Sequence, residues 1–405
     1  MISKMFKHYT SIMSKWLNGL SLIQKQSRLK ENIILVDTER KLGKLVGHLE
    51  KEHELALDTE GNSLYSYHAK VCLIQISTRK KHYIIDPIKI KEISCLKKIL
   101  SNPNIEKILH GSAYDIQMLY QCSGIHIRNL FDTQIAASFL GESKPGLACL
   151  VKKYFGVHLS KVHQKSNWAI RPLPDEMLEY AILDTVYLLP LADRLREELT
   201  LKERMEWVKE ECEYLAKFGK EIKKKNRSPF SNRQISDSKL PIAAAIMRFR
   251  EDLARKMDLP PFRVMDKKTI LDIAGSRNLD MKELKRITSK SPIIQKHLEE
   301  IFEIIRKAGK NSAGVKHAQQ ICKKRSDRKF RGKTEKLYIF RNRMAEQLKI
   351  EPYLVLSQKQ ILTLAEAKVT TANDILDIKC LKNWQKELFG KELCEILKKV
   401  MTPIH

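Results

Sequence analysis

In the stretch HELALDTEGNS, residues 53–63, an apolar run meets two carboxylates, Asp58 and Glu60. Positions i and i+2 of a strand share a face, so these two side chains project together, with Thr59 opposite. Like charges held that close raise each other's pKa unless a cation sits between them. Hard cations such as Mg²⁺ take oxygen ligands, so a metal ion is the simplest relief. A second acid, Asp115, stands in KILHGSAYDIQML, in the first turn of a helix that follows a strand. The helix dipole also favours an acid there. A third, Asp184, follows Tyr180 by four residues in LEYAILDTVYLL, so phenol and carboxylate share a helix face. Singly, each has an ordinary explanation: a strand end meeting solvent, an acid on a dipole, an amphipathic helix.

The elements that must position these groups are readable from periodicity. LALD, KVCLIQIST and HYIID read as three strands with short polar connections, which suits an antiparallel meander. ISCLKKIL is helical, EKILHG is a strand, AYDIQMLYQCSG is a helix ending on glycine, and NLFDT is a fifth strand before QIAASFLG. Strands followed by alternating helices indicate one mixed sheet with helices packed on it. From Pro174 to Gly219 the pattern is nearly all helical, and KKKNRSPFSNR then reads as a linker. The remainder is helical and repeats. FREDLARKMDLPPFRVMDKKTIL from Phe249 is answered by FRNRMAEQLKIEPYLVLSQKQIL from Phe340, a period of 91 residues. That length suits a duplicated small domain rather than a solenoid repeat. Each copy reads as a helix, a Pro-aromatic turn at Phe262 or Tyr353, and a second helix starting near Asp266 or Ser357.

In this order and spacing the acids resemble the DEDD superfamily of 3′→5′ exonucleases, in its tyrosine-bearing branch. Asp58-x-Glu60 matches the first motif, Asp115 the second, and Tyr180-x-x-x-Asp184 the third. DTEGNSLYSYHAKVCLIQIST and NWAIRPLPDEMLEYAILDTVYLLPL look like the corresponding regions of ribonuclease D-like enzymes, including Trp168 and the Arg171-Pro172-Leu173 lead-in. The duplicated unit is similar to the helicase-and-ribonuclease-D C-terminal (HRDC) domain. The resemblance implies an α/β ribonuclease H-like exonuclease domain over residues 33–219, followed by two all-α HRDC domains at 239–310 and 333–405. A basic extension (1–32), a linker (220–238) and a basic linker (311–332) lie around them. It further implies two divalent ions, Mg²⁺ or Mn²⁺, held by the four carboxylates. Asp58 would bridge the ions, Glu60 and Asp184 would complete the water-activating site, Asp115 would serve the second ion, and Tyr180 would orient the attacking water. The implied reaction is 3′→5′ exoribonucleolytic hydrolysis releasing 5′-mononucleotides, with tRNA precursor 3′ processing as the expected task. Gln75, His110 and Trp168 are candidate contacts to the terminal nucleotide, and Tyr67 is a further candidate for base stacking.

Composition fits these expectations. The net charge of +27 favours polyanionic partners. Fourteen Lys and Arg against two acids in residues 306–343 mark a phosphate-contacting surface, so RNA is the expected partner of a monomer. Eight cysteines at 72, 95, 122, 149, 212, 322, 380 and 394 show no zinc spacing and suit a reducing compartment, so the expected location is cytoplasmic. Residues 1–30 hold Lys and Arg but no acid, the composition of an organellar transit segment or of a basic helix on RNA. No apolar run is long enough to span a membrane. Two other functions remain open. One is a Werner-type DNA exonuclease, against which the missing G-x-x-x-x-G-K-[ST] motif weighs. The other is a non-catalytic RNA-binding module, against which the full acid set weighs.

Overall fold

The structure is a computed structural model and describes residues 32–218, 236, 239–276, 279–310 and 328–398. Nearly all of the expected N-terminal extension and of the first linker, and most of the basic linker, lie outside the described residues. The chain divides into two compact units.

The first unit is built on six strands: β1 (Ile33–Val36), β2 (Glu54–Gly61), β3 (Val71–Ser77), β4 (His82–Ile85), β5 (Glu106–Leu109) and β6 (Leu130–Asp132). Their order in the sheet is β1-β4-β3-β2-β5-β6. β3 and β4 run antiparallel, whereas β1 pairs with β4, β5 with β2, and β6 with β5 in parallel. The five expected strands are present in one mixed sheet. β1 is the addition: IILV is short and half-exposed, so its period carries little signal. β2 is an interior strand, and Leu55, Ala56 and Leu57 are fully buried. That explains an apolar strand ending in acids, because its stem belongs to the core and only its tip is polar.

Among the described residues, the helices of this unit are α1 (Glu39–Leu49), α2 (Lys97–Leu100), α3 (Ala113–Ser123), α4 (Thr133–Leu140), α5 (Leu147–Phe155), α6 (Asp175–Val186), α7 (Leu188–Leu201) and α8 (Met205–Phe218). Gly124 and Gly141 end α3 and α4 in the left-handed conformation, where a Cβ is costly. α6 lies against β3 and β4, and a core of Cys72, Leu73, Ile84, Trp168, Met177, Ala181 and Ile182 fills the space between. Lys107 on β5 is fully buried. Its ammonium donates to the carbonyls of Asn102 (2.6 Å) and Ile105 (2.5 Å), and burial pulls its pKa down to about 7.

The second unit holds the two helical copies. The first comprises α9 (Leu240–Met257), α10 (Pro261–Val264), α11 (Lys267–Gly275), α12 (Met281–Ile287), α13 (Pro292–Gln295) and α14 (Leu298–Lys310). The second comprises α15 (Arg328–Leu348), α16 (Pro352–Val355), α17 (Gln358–Glu366), α18 (Ala372–Leu376) and α19 (Asn383–Lys398). Equivalent positions play equivalent parts: Phe249 and Phe340, Ala254 and Ala345, Val264 and Val355, and Ile270 and Ile361 are all buried. Asp258 and Lys349, 91 residues apart, both take positive φ (47° and 53°) after the first long helix of each copy. The expected second-helix starts are capped by Asp266 and by a Ser357–Gln360 capping box.

Residues 61–70 pack with the second unit. Asp258 accepts hydrogen bonds from the Ser66 hydroxyl (2.8 Å) and the amides of Tyr67 and His68 (3.1 Å each). The Arg255 guanidinium covers the Tyr67 ring at 5.5 Å, so the ring expected to stack on a base is engaged by protein instead.

Candidate active site

β2, α3 and α6 deliver the acids. Oxygens of Asp58, Glu60 and Asp184 all lie within 4.8 Å of one another. Helical spacing also puts Tyr180 on the side of α6 that faces them: burial, then the negative charge of Asp184, Glu60 and Asp58, pushes its phenol pKa upward. The Tyr180 ring packs between His163, edge-on at 5.7 Å, and Trp168 at 6.0 Å.

The electrostatics match a site built around positive charge. Burial, then the repulsion of Asp115, Asp184 and Glu60, drives the Asp58 carboxyl well above its ordinary range. Burial, then Asp184 and Asp115, lifts Glu60 to about 9, and burial lifts Asp184 to about 7. Asp115 rises to about 6 because burial outweighs the hydrogen bonds that favour its charged form. Burial and mutual repulsion thus disfavour the charged carboxylates unless a cation offsets them. Three carboxylate oxygens converging within one ion's reach form a hard donor set suited to a divalent cation.

Asp115 stands outside that trio. Its Oδ1 accepts the Thr59 hydroxyl at 2.5 Å. The sequence placed Thr59 opposite the paired acids with no task, and the structure gives it one. The backbone leading to Asp115 is fixed from behind by Asp132, the fully buried last residue of β6. Its carboxylate accepts the amides of Gly111 (3.0 Å) and Ser112 (2.8 Å), the Ser112 hydroxyl (2.7 Å) and the first amides of α4. An acid just before a helix was a readable capping signal, but its second grip on the β5–α3 turn was not.

Two more groups fix α6 and the chain that enters it. Arg171 donates Nε and Nη2 to the Asp86 carboxylate at 2.7 Å each, Nη2 to the Cys72 carbonyl, and Nη1 to the carbonyls of Trp168 and Ile170. Next to Asp184, the Thr185 hydroxyl meets that of Ser77 at 2.7 Å, and Ser77 contacts His82 Nδ1 at 2.9 Å. This Ser–His contact is not nucleophilic machinery, because Ser77 is 1 % exposed.

The candidate nucleotide contacts fall differently. Gln75 is fully buried on β3, with neither amide atom partnered among the described residues. Trp168 is 1 % exposed and belongs to the core under α6, so it offers no face to a base. Its resemblance to a substrate contact reflects a packing site that supports Tyr180. His110, at the end of β5, touches Thr133 through Nδ1 while Nε2 is unpartnered, and burial lowers its pKa.

A family model described as 3′→5′ exonuclease matches residues 33–200, and an HRDC domain model matches 239–305 and 334–397. Among solved structures, the catalytic core of RRP6 from Trypanosoma brucei is 30% identical, covering 72% of this chain and 83% of its own, with a TM-score of 0.58. Escherichia coli RNase D shares the fold at 24% identity, covering 91% of this chain and 99% of its own, with a TM-score of 0.68. Protein RRP6-like 1 of Arabidopsis thaliana is 31% identical over 320 residues, which is 72% of this chain and 48% of the relative. Exosome complex exonuclease RRP6 of Saccharomyces cerevisiae is 36% identical over 185 residues, or 45% and 25%. The chain spans about half or less of the length of these curated relatives. With an exonuclease domain followed by two HRDC domains, and a solved RRP6 core matched over most of its length, the chain belongs to the ribonuclease D-like family of DEDD 3′→5′ exonucleases.

Proposed function

We propose that this protein removes nucleotides one at a time from RNA 3′ ends by metal-assisted phosphodiester hydrolysis, releasing 5′-mononucleotides. The observation that carries this reading is the convergence of Asp58, Glu60 and Asp184, with Asp115 beside them and Tyr180 on the same helix face as Asp184. Asp58, Glu60 and Asp184 would hold one divalent ion, and Asp115, together with Asp58, a second. Bound there, two such ions stabilise charge on the attacking and leaving oxygens and make hydroxide available near neutral pH. The protein supplies the rest. The interior position of β2 fixes the Asp58–Glu60 spacing. Tyr180 keeps its proton, because burial and the neighbouring acids disfavour the phenolate, so its hydroxyl is available to orient a water.

RNA is favoured over DNA by the relatives: the yeast protein is named an exosome exonuclease, and E. coli RNase D is described as an exoribonuclease involved in structured RNA processing. A tRNA precursor with a short 3′ tail is the substrate we propose, gathered by salt-sensitive phosphate contacts to the HRDC domains. Relatives from mouse and Caenorhabditis elegans are named exosome components, which weighs against a solitary monomer. RNA carrying a 3′ or a 5′ label, beside matched DNA, tests the reading. The 3′ label should leave as mononucleotide in Mg²⁺ or Mn²⁺. Endonucleolytic fragments, or faster loss of DNA, would refute it.

A further inference from the structure

Thr59 sits between the two acids of the first motif, yet its hydroxyl is spent on the acid of the second. The Oγ1–Oδ1 distance of 2.5 Å lies at the short end for a hydroxyl on a charged carboxylate. Both residues are buried, Thr59 at 8 % exposure and Asp115 at 7 %. Water therefore competes poorly for the bond, and its geometry persists.

Asp115 is thus held at two points. Asp132 grips the amides of Gly111 and Ser112, which sets where α3 begins and so where the Asp115 Cα lies. Thr59 then sets the rotation of the carboxyl group about that anchor. A carboxylate has two oxygens, and one is committed to Thr59. The carboxylate also accepts the main-chain amides of Thr59 and of Asp115 itself, so the hydroxyl adds to a grip that the backbone begins. Asp115 is also kept out of the Asp58–Glu60–Asp184 trio, whose oxygens already converge without it.

We propose that Thr59 is a positioning residue for the second divalent-cation site: its hydroxyl fixes the rotation of the Asp115 carboxylate that would serve that ion. This rests on the two-ion reading above. It separates the ions by their support. The trio's site depends on β2 and α6 alone, whereas the second site depends on a β2 hydroxyl aiming an α3 carboxylate. Loss of the hydroxyl should therefore weaken one ion and spare the other. Groups that orient a metal-binding carboxylate are worth about 10–100-fold in metal affinity.

The test is Mn²⁺ binding to the full chain without RNA, followed by the electron paramagnetic resonance signal of free Mn²⁺. Wild type, Thr59→Val and Thr59→Ser are compared, with thermal unfolding in chelator as a check on folding. Wild type should bind two ions. Thr59→Val, nearly isosteric, should keep one ion at wild-type affinity and bind the other about 10-fold or more weakly. Thr59→Ser, which restores the hydroxyl, should bind both as wild type does. Should valine prevent folding, Thr59→Ala repeats the comparison with a smaller side chain. Two ions bound unchanged by Thr59→Val overturns the proposal, as does equal weakening by valine and serine, which would assign the effect to packing. Wild type binding fewer than two ions refutes instead the two-ion reading.

Discussion

Replacing Arg171 with alanine should be among the costliest single changes in the exonuclease unit. All five guanidinium N–H groups are used: two on Asp86, and three on the carbonyls of Cys72, Trp168 and Ile170. The ion pair is shielded, with side-chain exposures of 16% for Arg171 and 4% for Asp86. Deleting one partner of such a pair leaves a buried charge uncompensated and costs about 3–5 kcal/mol. Arg171→Lys keeps the charge but loses the planar fork, so it should recover only part of that. The chain around Trp168 leads straight into α6, so kcat should fall along with stability. The assay is urea unfolding followed by tryptophan fluorescence, with the exonuclease transition fitted separately, for Arg171→Ala, Asp86→Ala and the double variant. The double variant should be less destabilised than the sum of the singles by about 1–3 kcal/mol. A single-variant cost below about 1 kcal/mol, or strict additivity, refutes the idea that this pair anchors the approach to α6.

Other outcomes follow from the same physics. The Asp184 carboxyl is raised by burial to about 7 from 3.8 unfolded, so the folded chain binds the extra proton between those values. Its contribution to stability is therefore present below pH 3.8 and lost as pH rises through 7. In chelator, Asp184→Asn should melt higher than wild type at pH 8 and converge with it near pH 4; Mn²⁺ should raise the wild-type melting temperature far more than that of the variant. In the second HRDC domain, Ser357→Ala removes half of the capping box at the start of α17 and should cost about 1 kcal/mol without altering metal binding. Binding of RNA should weaken steeply between low and moderate salt, with a log–log slope that becomes shallower when basic residues of 306–343 are neutralised.

Much of this was legible because it is periodic or local. Alternation put Asp58 and Glu60 on one face, and the four-residue step from Tyr180 to Asp184 put the phenol beside the acids. Gly124 and Gly141 stop their helices as their αL preference requires, and the repeat register landed on matching core positions such as Ile270 and Ile361. What escaped is non-local. No pattern along the chain tells that Thr59 meets Asp115 56 residues away, or that Arg171 reaches Asp86 across 85. Burial of polar groups escaped too. Gln75 and Trp168 looked like surface for a nucleotide because their residue types are versatile, whereas their depth depends on how α6 closes over β3.

If the acids gathered from β2, α3 and α6 hold divalent ions and serve hydrolysis of RNA from its 3′ end, ion occupancy and nucleotide release must rise and fall together. The most direct measurement is single-turnover release of a 3′-terminal label from RNA by wild type and Asp58→Ala, over a Mn²⁺ titration, with Mn²⁺ binding recorded on the same samples. Wild type should release mononucleotide in step with ion occupancy, and Asp58→Ala should lose both occupancy and release. Undiminished release by Asp58→Ala, or release from wild type in excess chelator, would contradict this coupling.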